Sequence, residues 1–86
     1  MEKVLVTGGA GYIGSHTVLD LIKKGFDVII ADDFSNSSKK VISILERLAD
    51  RKIKYYELDI RNKEGLREVF KENKIDAVIN FAGYKA

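Results

Sequence analysis

The sequence contains no cysteine and only one histidine. The absence of cysteine excludes disulfide bonds and thiolate metal sites, and a single histidine makes a histidine-based metal cluster implausible. No apolar run approaches the roughly 20 residues that a membrane-spanning helix needs. The N-terminus lacks the basic start and the long apolar stretch of a signal peptide. These absences favour a cytoplasmic protein with no metal site and no membrane partner.

The chain also lacks a concentration of charge of either sign. Its 15 lysines and arginines are dispersed among 13 acidic residues, which leaves a formal net charge of +2. A nucleic-acid partner usually requires a concentrated basic face, so we expect none here. Eighty-six residues, 45% of them hydrophobic and 33% charged, suit one soluble globular domain with a single modest core.

Short apolar runs alternate with helical patterns along the whole chain. The runs predict strands at residues 4–6, 28–31, 53–58 and 77–81. The helical patterns predict a first helix over residues 11–24, a second capped by Ser37 or Ser38, and a third capped by Asn62. This order predicts an α/β fold with a parallel sheet, right-handed crossovers and helices on both faces. In a Rossmann-type fold the four strands form the first half of the sheet, in the order 3-2-1-4. Residues 1–86 would then be a single half-domain.

Helical spacing also predicts which side chains face the core. In the first helix they are Ile13, Thr17, Val18, Leu21 and Ile22; in the second, Val41, Ile44, Leu45 and Leu48; in the third, Leu66, Val69 and Phe70.

A glycine-rich segment, residues 7–14, joins the first strand to the first helix. Two registers fit the spacing, namely Gly9-x-Gly11-x-x-Gly14 and Gly8-x-x-Gly11-x-x-Gly14. Glycine permits a sharp turn, and the missing side chains let a diphosphate reach free N–H groups at the positive end of the helix. The alternative is a purely structural tight turn.

Asp32 stands at the end of the second strand, eighteen residues after Gly14. A carboxylate at this spacing accepts hydrogen bonds from the adenosine ribose of a dinucleotide. A 2′-phosphate would be repelled by Asp32 and Asp33, with no arginine nearby in the sequence to neutralise it. The pattern therefore predicts binding of NAD rather than NADP.

Further candidates follow the other strands, where ligands bind in parallel sheets. Asp59 could accept from the adenine amino group while Ile60 packs on the ring, although Asp59 could equally just begin the next turn. Ala82 and Gly83 are small enough for a cofactor to lie across the strand end. We interpret His16 as a packing or hydrogen-bonding residue and the Tyr55-Tyr56 pair as packing groups. Paired basic residues such as Lys39-Lys40 are interpreted as solvated charge.

These residues together resemble the N-terminal portion of the UDP-glucose 4-epimerases, which are extended short-chain dehydrogenases/reductases. The matching segments are residues 6–17, Asp32 with Asn36-Ser37, residues 59–61 and residues 75–86. The first segment is shared widely among the extended enzymes, whereas Asn36-Ser37 and the ending Phe-Ala-Gly-x-Lys-Ala are more particular to the epimerases.

The resemblance implies roles for individual residues. It implies that the NAD diphosphate lies on Gly8, Gly11, Tyr12, Ile13 and Gly14, the ribose by Asp32, Asn36 and Ser37, the adenine by Asp59 and Ile60, and the middle of the cofactor by Phe81, Ala82, Gly83 and Lys85. The implied reaction interconverts UDP-glucose and UDP-galactose, in galactose metabolism, with NAD as a resident hydride carrier.

The family's Tyr-x-x-x-Lys proton-transfer pair is missing from these residues. We therefore assign no catalytic residue and expect the chain to bind NAD or ADP-ribose without turning over UDP-sugars, which only a full-length parent would use. We also expect a homodimer formed through the apolar fourth strand. Two other interpretations stay open: the matching piece of another extended enzyme, a nucleotide-sugar dehydratase or reductase, and a stand-alone binding or structural module.

Overall fold

The computed structural model describes residues 2–35 and 37–81 of the chain. Strands and helices alternate along it, as the apolar pattern predicts. In chain order the elements are β1 (Lys3–Thr7), α1 (Tyr12–Lys23), β2 (Asp27–Asp32), α2 (Lys40–Ala49), β3 (Lys54–Glu57), α3 (Lys63–Glu72) and β4 (Ala77–Asn80). Among the described residues, no helix is both long enough and apolar enough to cross a membrane.

The four strands form one parallel sheet in the order β3-β2-β1-β4. This confirms the predicted order 3-2-1-4. Thr7 at the end of β1 is paired with both Ala31 and Asn80, and Asp32 is paired with Glu57. The carboxyl ends of all four strands therefore meet at one edge, and the loops that follow β1, β2 and β3 lie side by side there.

Helices cover both faces of the sheet, as predicted. On one face the side chains of Val18 and Ile22 in α1 and of Ile42 and Leu45 in α2 pack on alternate residues of β1 and β2. On the other face Val69 of α3 packs on Leu5, Ile29 and Ala31. A fully buried side chain of this kind contributes about 1.5–3 kcal/mol to folding. The first face, with two helices, carries the larger share of the core.

The predicted apolar face of α1 is partly wrong. The residues it buries are Gly14, Val18 and Ile22, whereas Ile13 is 65% exposed. The cause is the close approach of Gly14 to the preceding loop, which turns the 14-18-22 line toward the sheet. Ile13 lies about 100° further round a helix of 3.6 residues per turn and so points away from the sheet.

The predicted face of α2 is also partly wrong. The helix buries Ile42 and Leu45, while Ile44 and Leu48 are exposed. Two overlapping sets of apolar residues have helical spacing here, and packing against α1 and the sheet selects the set that begins at Ile42. In α3, Val69 is buried as predicted, but Phe70 remains 47% exposed.

Candidate functional site

The turn from β1 into α1 depends on a backbone conformation that favours glycine. Gly8 has φ of 74°, in the left-handed region. Its N–H donates to the Ala31 carbonyl at 2.8 Å, and its own carbonyl accepts from Gly11 N–H at 3.1 Å. The turn is thereby fixed to the end of β2 on one side and to the start of α1 on the other.

Gly14 is required by close packing rather than by its dihedral angles. A Cβ atom on Gly14 would lie 2.2 Å from the Gly8 carbonyl oxygen, which is backbone and cannot move aside easily. At Gly9 a Cβ atom would meet the Ile30 side chain at 3.0 Å. Gly8 makes the turn and Gly14 permits the contact, so the structure favours the Gly8-x-x-Gly11-x-x-Gly14 register.

The N-terminus of α1 is open. Gly11 is the N-cap residue, no side chain of the described residues caps the helix by a hydrogen bond, and the first turn contains no acidic residue. The first two side chains, Tyr12 and Ile13, are 82% and 65% exposed. Free N–H groups and the positive end of the helix dipole therefore face the carboxyl edge of the sheet, which is the arrangement that binds a phosphate.

Asp32 links the glycine turn to the end of β2. Its side chain is only 8% exposed. One carboxylate oxygen accepts from Ala10 N–H at 3.0 Å and the other from Phe34 N–H at 2.8 Å. Since each oxygen has two lone pairs, the carboxylate can still accept hydroxyl donors. Asp32 therefore supports the loop and offers an acceptor beside it.

The loop between β2 and α2 is held by short-range hydrogen bonds. The N–H and hydroxyl of Ser35 donate to the Asp33 carboxylate at 3.0 and 2.8 Å, and these bonds lower the pKa of Asp33. Ser38 Oγ accepts from Lys40 N–H at 3.1 Å, at the start of α2. Ser37 differs, because its buried Oγ has no hydrogen-bond partner among the described residues. Asn36, predicted to lie at the same end of the cofactor, is outside the described residues.

Two ion pairs lie at the same edge, and the sequence pattern did not reveal them. Lys39 Nζ is 2.5 Å from Glu57 Oε1, and this hydrogen bond raises the pKa of Lys39. Arg61 Nη2 is 2.6 Å from Asp59 Oδ2, and the hydrogen bonds from Arg61 lower the pKa of Asp59. Lys39 is therefore an exposed charge, as predicted, and it also forms an ion pair that the sequence pattern does not indicate.

Asp59, Ile60 and Phe81 also lie at the carboxyl edge. Ile60 lines an apolar groove of about 250 Å³ on the α3 side of the sheet, together with residues that include Leu66, Phe70 and Val78. Phe81 N–H donates to the Thr7 carbonyl at 2.7 Å, which extends the β1–β4 contact by one residue. Thr7 also lines the groove, which therefore reaches the start of the glycine-rich segment. The other predicted contacts, Ala82, Gly83 and Lys85, lie outside the described residues.

The remaining side chains considered in the sequence serve packing. His16 is exposed and its ring meets the Tyr12 ring edge-on at 4.9 Å. Tyr55 packs edge-on against Phe34 at 5.9 Å, and Tyr56 hydroxyl donates to Glu72 at 2.7 Å on the α3 side. These contacts support the packing interpretation. Within residues 2–35 and 37–81, no three His, Cys, Asp or Glu side chains come together as metal ligands.

Comparison with known proteins gives a consistent match along the chain. Residues 5–86 match the family model described as GDP-mannose 4,6 dehydratase. A UDP-glucose 4-epimerase of Neisseria meningitidis serogroup B is 51% identical over all 86 residues, and one of Bacillus subtilis is 45% identical over 96% of the chain. The chain spans about a quarter of the length of these curated relatives.

Solved structures of epimerases share the fold. A UDP-glucose 4-epimerase from Stenotrophomonas maltophila, with NAD and formylated UDP-arabinopyranose bound, matches the whole chain with a TM-score of 0.94 and 38% identity. One from Bifidobacterium longum, in complex with NAD⁺ and UDP, matches 98% of the chain with a TM-score of 0.93 and 46% identity. The chain covers 26% and 25% of those two structures, respectively.

Proposed function

The chain belongs to the family of the GDP-mannose 4,6-dehydratase model, and from that premise we propose that it is the NAD-binding half-domain of a UDP-glucose 4-epimerase. Two of the similar epimerases hold NAD in their structures. Relatives that are 51% identical over the full 86 residues carry the epimerase name. The cysteine-free composition fits a reducing cytoplasm, where we propose that the protein works.

The open N-terminus of α1 is the single observation that carries this proposal. In the proposed complex the NAD diphosphate lies over Gly8, Gly11 and Gly14 and accepts from the first-turn N–H groups of Tyr12 and Ile13. No side chain of the described residues caps the N-terminus of α1. Gly14 has no side chain and packs closely on the Gly8 backbone. The residues present therefore fit a dinucleotide diphosphate.

Asp32 supplies the proposed selectivity at the ribose. Its remaining lone pairs accept from the two ribose hydroxyls, and its charge repels a 2′-phosphate. Ser37 Oγ, which has no hydrogen-bond partner among the described residues, is a further polar group that a ligand at this end could satisfy. Asp59 and Ile60 are proposed to contact the adenine, and Phe81, Ala82, Gly83 and Lys85 to lie along the middle of the cofactor.

Bound NAD would supply reversible hydride transfer at the sugar in the parent enzyme. These 86 residues contribute binding only, since they lack a Tyr-x-x-x-Lys pair. We propose that UDP-sugars are substrates of the full-length parent and that this chain alone is inactive. Sustained conversion of UDP-galactose by the pure chain, above a heat-inactivated control, would contradict this.

Calorimetric titration with NAD, ADP-ribose and NADP tests the binding proposal. We expect NAD and ADP-ribose to bind about equally and NADP more weakly. Asp32→Ala should weaken NAD binding by about 1–3 kcal/mol, the range for a lost hydrogen bond to a charged group, and should narrow the gap to NADP. Asp27→Asn, at the opposite end of β2, is the matched control. It should change neither the affinity for NAD nor the difference between the affinities for NAD and NADP. Equal affinity of the unmodified chain for NADP would refute the role of Asp32.

A second candidate follows from the description of the matching family model. Other nucleotide-sugar enzymes, such as dehydratases or reductases, would use the same cofactor half-domain. Joining the chain to the remaining part of an epimerase relative and assaying UDP-galactose separates the two. Activity supports the epimerase, whereas an inactive but folded, NAD-loaded chimera favours the second candidate.

We further propose that the chain forms a homodimer through β4. This strand lies at the edge of the sheet, its Val78 is 49% exposed, and neither Lys nor Pro interrupts it. Such an edge is not protected against pairing. Val78 and the exposed Phe70 also line the apolar groove, which extends the patch beyond the strand.

Val78→Lys is the appropriate variant to test the dimer. Ile79 is unsuitable because its side chain packs against the core beneath α1 and α2, so a lysine there would disturb folding. We expect the unmodified chain to sediment as a dimer at micromolar concentration and Val78→Lys as a monomer. If the unmodified chain sediments as a monodisperse monomer, the proposed homodimer is refuted. If Val78→Lys still sediments as a dimer, β4 is excluded as the interface.

A further inference from the structure

In the part of the chain that the structure describes, two cationic side chains lie at the adenosine end of the proposed site, and both are paired with carboxylates. Lys39 contacts Glu57 through one contact of 2.5 Å. Arg61 binds Asp59 through Nη2 at 2.6 Å and through Nε at 3.1 Å from each oxygen. The sequence alone suggested that no arginine was near Asp32, but folding brings Arg61 to this edge.

Several contacts place both pairs close to Asp32. Glu57 is the register partner of Asp32 on the neighbouring strand, and Leu58 N–H donates to the Asp32 carbonyl at 2.9 Å. Lys39 Nζ lies 5.9 Å from the centre of the Phe34 ring, and Phe34 N–H is bound by Asp32. Asp33, the next residue, interacts electrostatically with both Asp59 and Arg61.

We propose that Glu57 is a second specificity-determining residue for NAD, because it holds Lys39 in an ion pair and so withholds that cation from a 2′-phosphate. This inference rests on the proposed function. NAD has a hydroxyl where NADP has the phosphate, so only NADP needs a cation at this position.

The local balance of charge supports the assignment. Among residues 2–35 and 37–81, four carboxylates and two cations share this edge: Asp32, Asp33, Glu57 and Asp59 with Lys39 and Arg61. A 2′-phosphate must therefore approach a net negative surface or separate one of the pairs. Arg61 is held by a fork of hydrogen bonds, whereas Lys39 has a single contact on a flexible stem. Lys39 is thus the more loosely held of the two cations.

Glu57→Gln is the direct test, because the side chain is exposed and its loss does not threaten the fold. We expect NADP to bind roughly two- to fivefold more tightly to the variant, the range of one exposed ion pair, with NAD affinity nearly unchanged. The gain should shrink as salt is raised from about 0.05 to 0.5 M. Circular dichroism checks that both proteins are folded.

Two controls separate this effect from a general change of charge. Asp27→Asn removes the same charge and releases Lys3, 3.9 Å away, at the opposite edge of the sheet, so NADP affinity should not change. Glu57→Gln combined with Lys39→Gln should abolish the gain, since the released cation is then absent.

The outcomes distinguish this proposal from the one on which it rests. If the unmodified chain prefers NAD but Glu57→Gln leaves NADP affinity unchanged, the role of Glu57 is wrong and the NAD site stands. A gain that survives in the double variant would also refute it. If the unmodified chain binds neither dinucleotide, both proposals fail.

Discussion

The N-termini of α1 and α3 occupy equivalent positions in the fold but differ in whether a side chain caps them. Each helix follows a parallel strand, begins at the carboxyl edge of the sheet and has glycine as its third residue, Gly14 in α1 and Gly65 in α3. In α3, Asn62 accepts from Gly65 N–H at 2.9 Å and Glu64 stands in the first turn. In α1 both the side-chain cap and the acid are missing.

The difference separates a structural helix end from one available to a ligand. Capping satisfies orphan N–H groups and an acid in the first turn neutralises the helix dipole, so α3 has little to offer an anion. The open end of α1 forgoes about 1 kcal/mol of capping stabilisation, and its N–H groups remain available. A diphosphate bound there would supply the missing partners.

The largest expected effect is on stability, when the glycine at the third position of each helix, Gly14 or Gly65, is replaced by alanine. Gly14→Ala places a methyl group against the Gly8 backbone and should destabilise the fold by about 3 kcal/mol, at the upper end of overpacking costs. At Gly65 the new Cβ would meet the Cδ1 end of the Leu58 side chain and Asn62 Nδ2 at 3.0 Å, which are side-chain atoms rather than backbone. Gly65→Ala should therefore change stability by less than about 1 kcal/mol, since helix propensity offsets the contact. Urea unfolding measures the free energy of unfolding of both variants. An equal loss of stability in Gly14→Ala and Gly65→Ala would contradict the packing role of Gly14.

Gly11→Asp should convert the α1 terminus into a copy of the α3 terminus. Gly11 has φ of −73° and ψ of 173°, which an aspartate N-cap adopts readily, and a Cβ there meets the nearest atom at 3.4 Å. We expect NAD affinity to fall about 10- to 100-fold, by competition for the N–H groups and charge repulsion, while stability stays equal or rises by up to about 1 kcal/mol. Calorimetry and thermal unfolding measure the two quantities. Unchanged NAD binding by a folded variant would contradict the account.

Asn62→Ala removes the side-chain N-cap of α3, so that both helices then begin without one. Stability should fall by about 1 kcal/mol, the usual value for a lost N-cap. Nucleotide affinity should not change, because the α3 terminus is not proposed to bind the diphosphate. Asn62→Ser, which retains a capping oxygen, should recover most of the stability. A parallel loss of NAD affinity in a folded Asn62→Ala chain would show that the two termini are not independent.

The smallest expected effect concerns acid stability at the turn before α3. Hydrogen bonds from Arg61 lower the pKa of Asp59 below its ordinary value of 3.8. Because the folded-state pKa is depressed, this stabilisation is fully present above pH 3.8 and is lost as pH falls through the folded-state pKa. The stability difference between the unmodified chain and Asp59→Asn should therefore shrink on acidification below pH 3.8. A difference that stays constant across this range would contradict the assignment.

Local features of this fold are predictable from the sequence. The Asn62 cap depends on a contact three residues away, and β1, β2 and β4 are marked by compact apolar runs, so these features are predictable without tertiary information. The glycine spacing and Asp32 likewise identify the candidate site. Choosing between the two glycine registers required coordinates, because the contact of Gly14 with the Gly8 carbonyl depends on how the helix leaves the turn.

Features that depend on packing across the sheet are not predictable in this way. The apolar residues of α2 are spread so widely around the helix that either of two faces could be buried. Packing against α1 and the sheet determines that the face with Ile42 is the buried one. The Lys39–Glu57 pair joins residues eighteen positions apart through the register of β3 on β2. Its effect on the charge around Asp32 therefore has no local signature in the sequence.

Amide chemical shifts measured during titration with ADP-ribose compare the two helix ends within one sample. We expect large shifts at the amides of residues 11–14 and at Ala10, whose N–H donates to Asp32, and all of these shifts should saturate at one common affinity. The amides of residues 63–65 should stay nearly unchanged. Equal shifts at both termini, or shifts confined to α3, would contradict the claim that the open end of α1 is the diphosphate site.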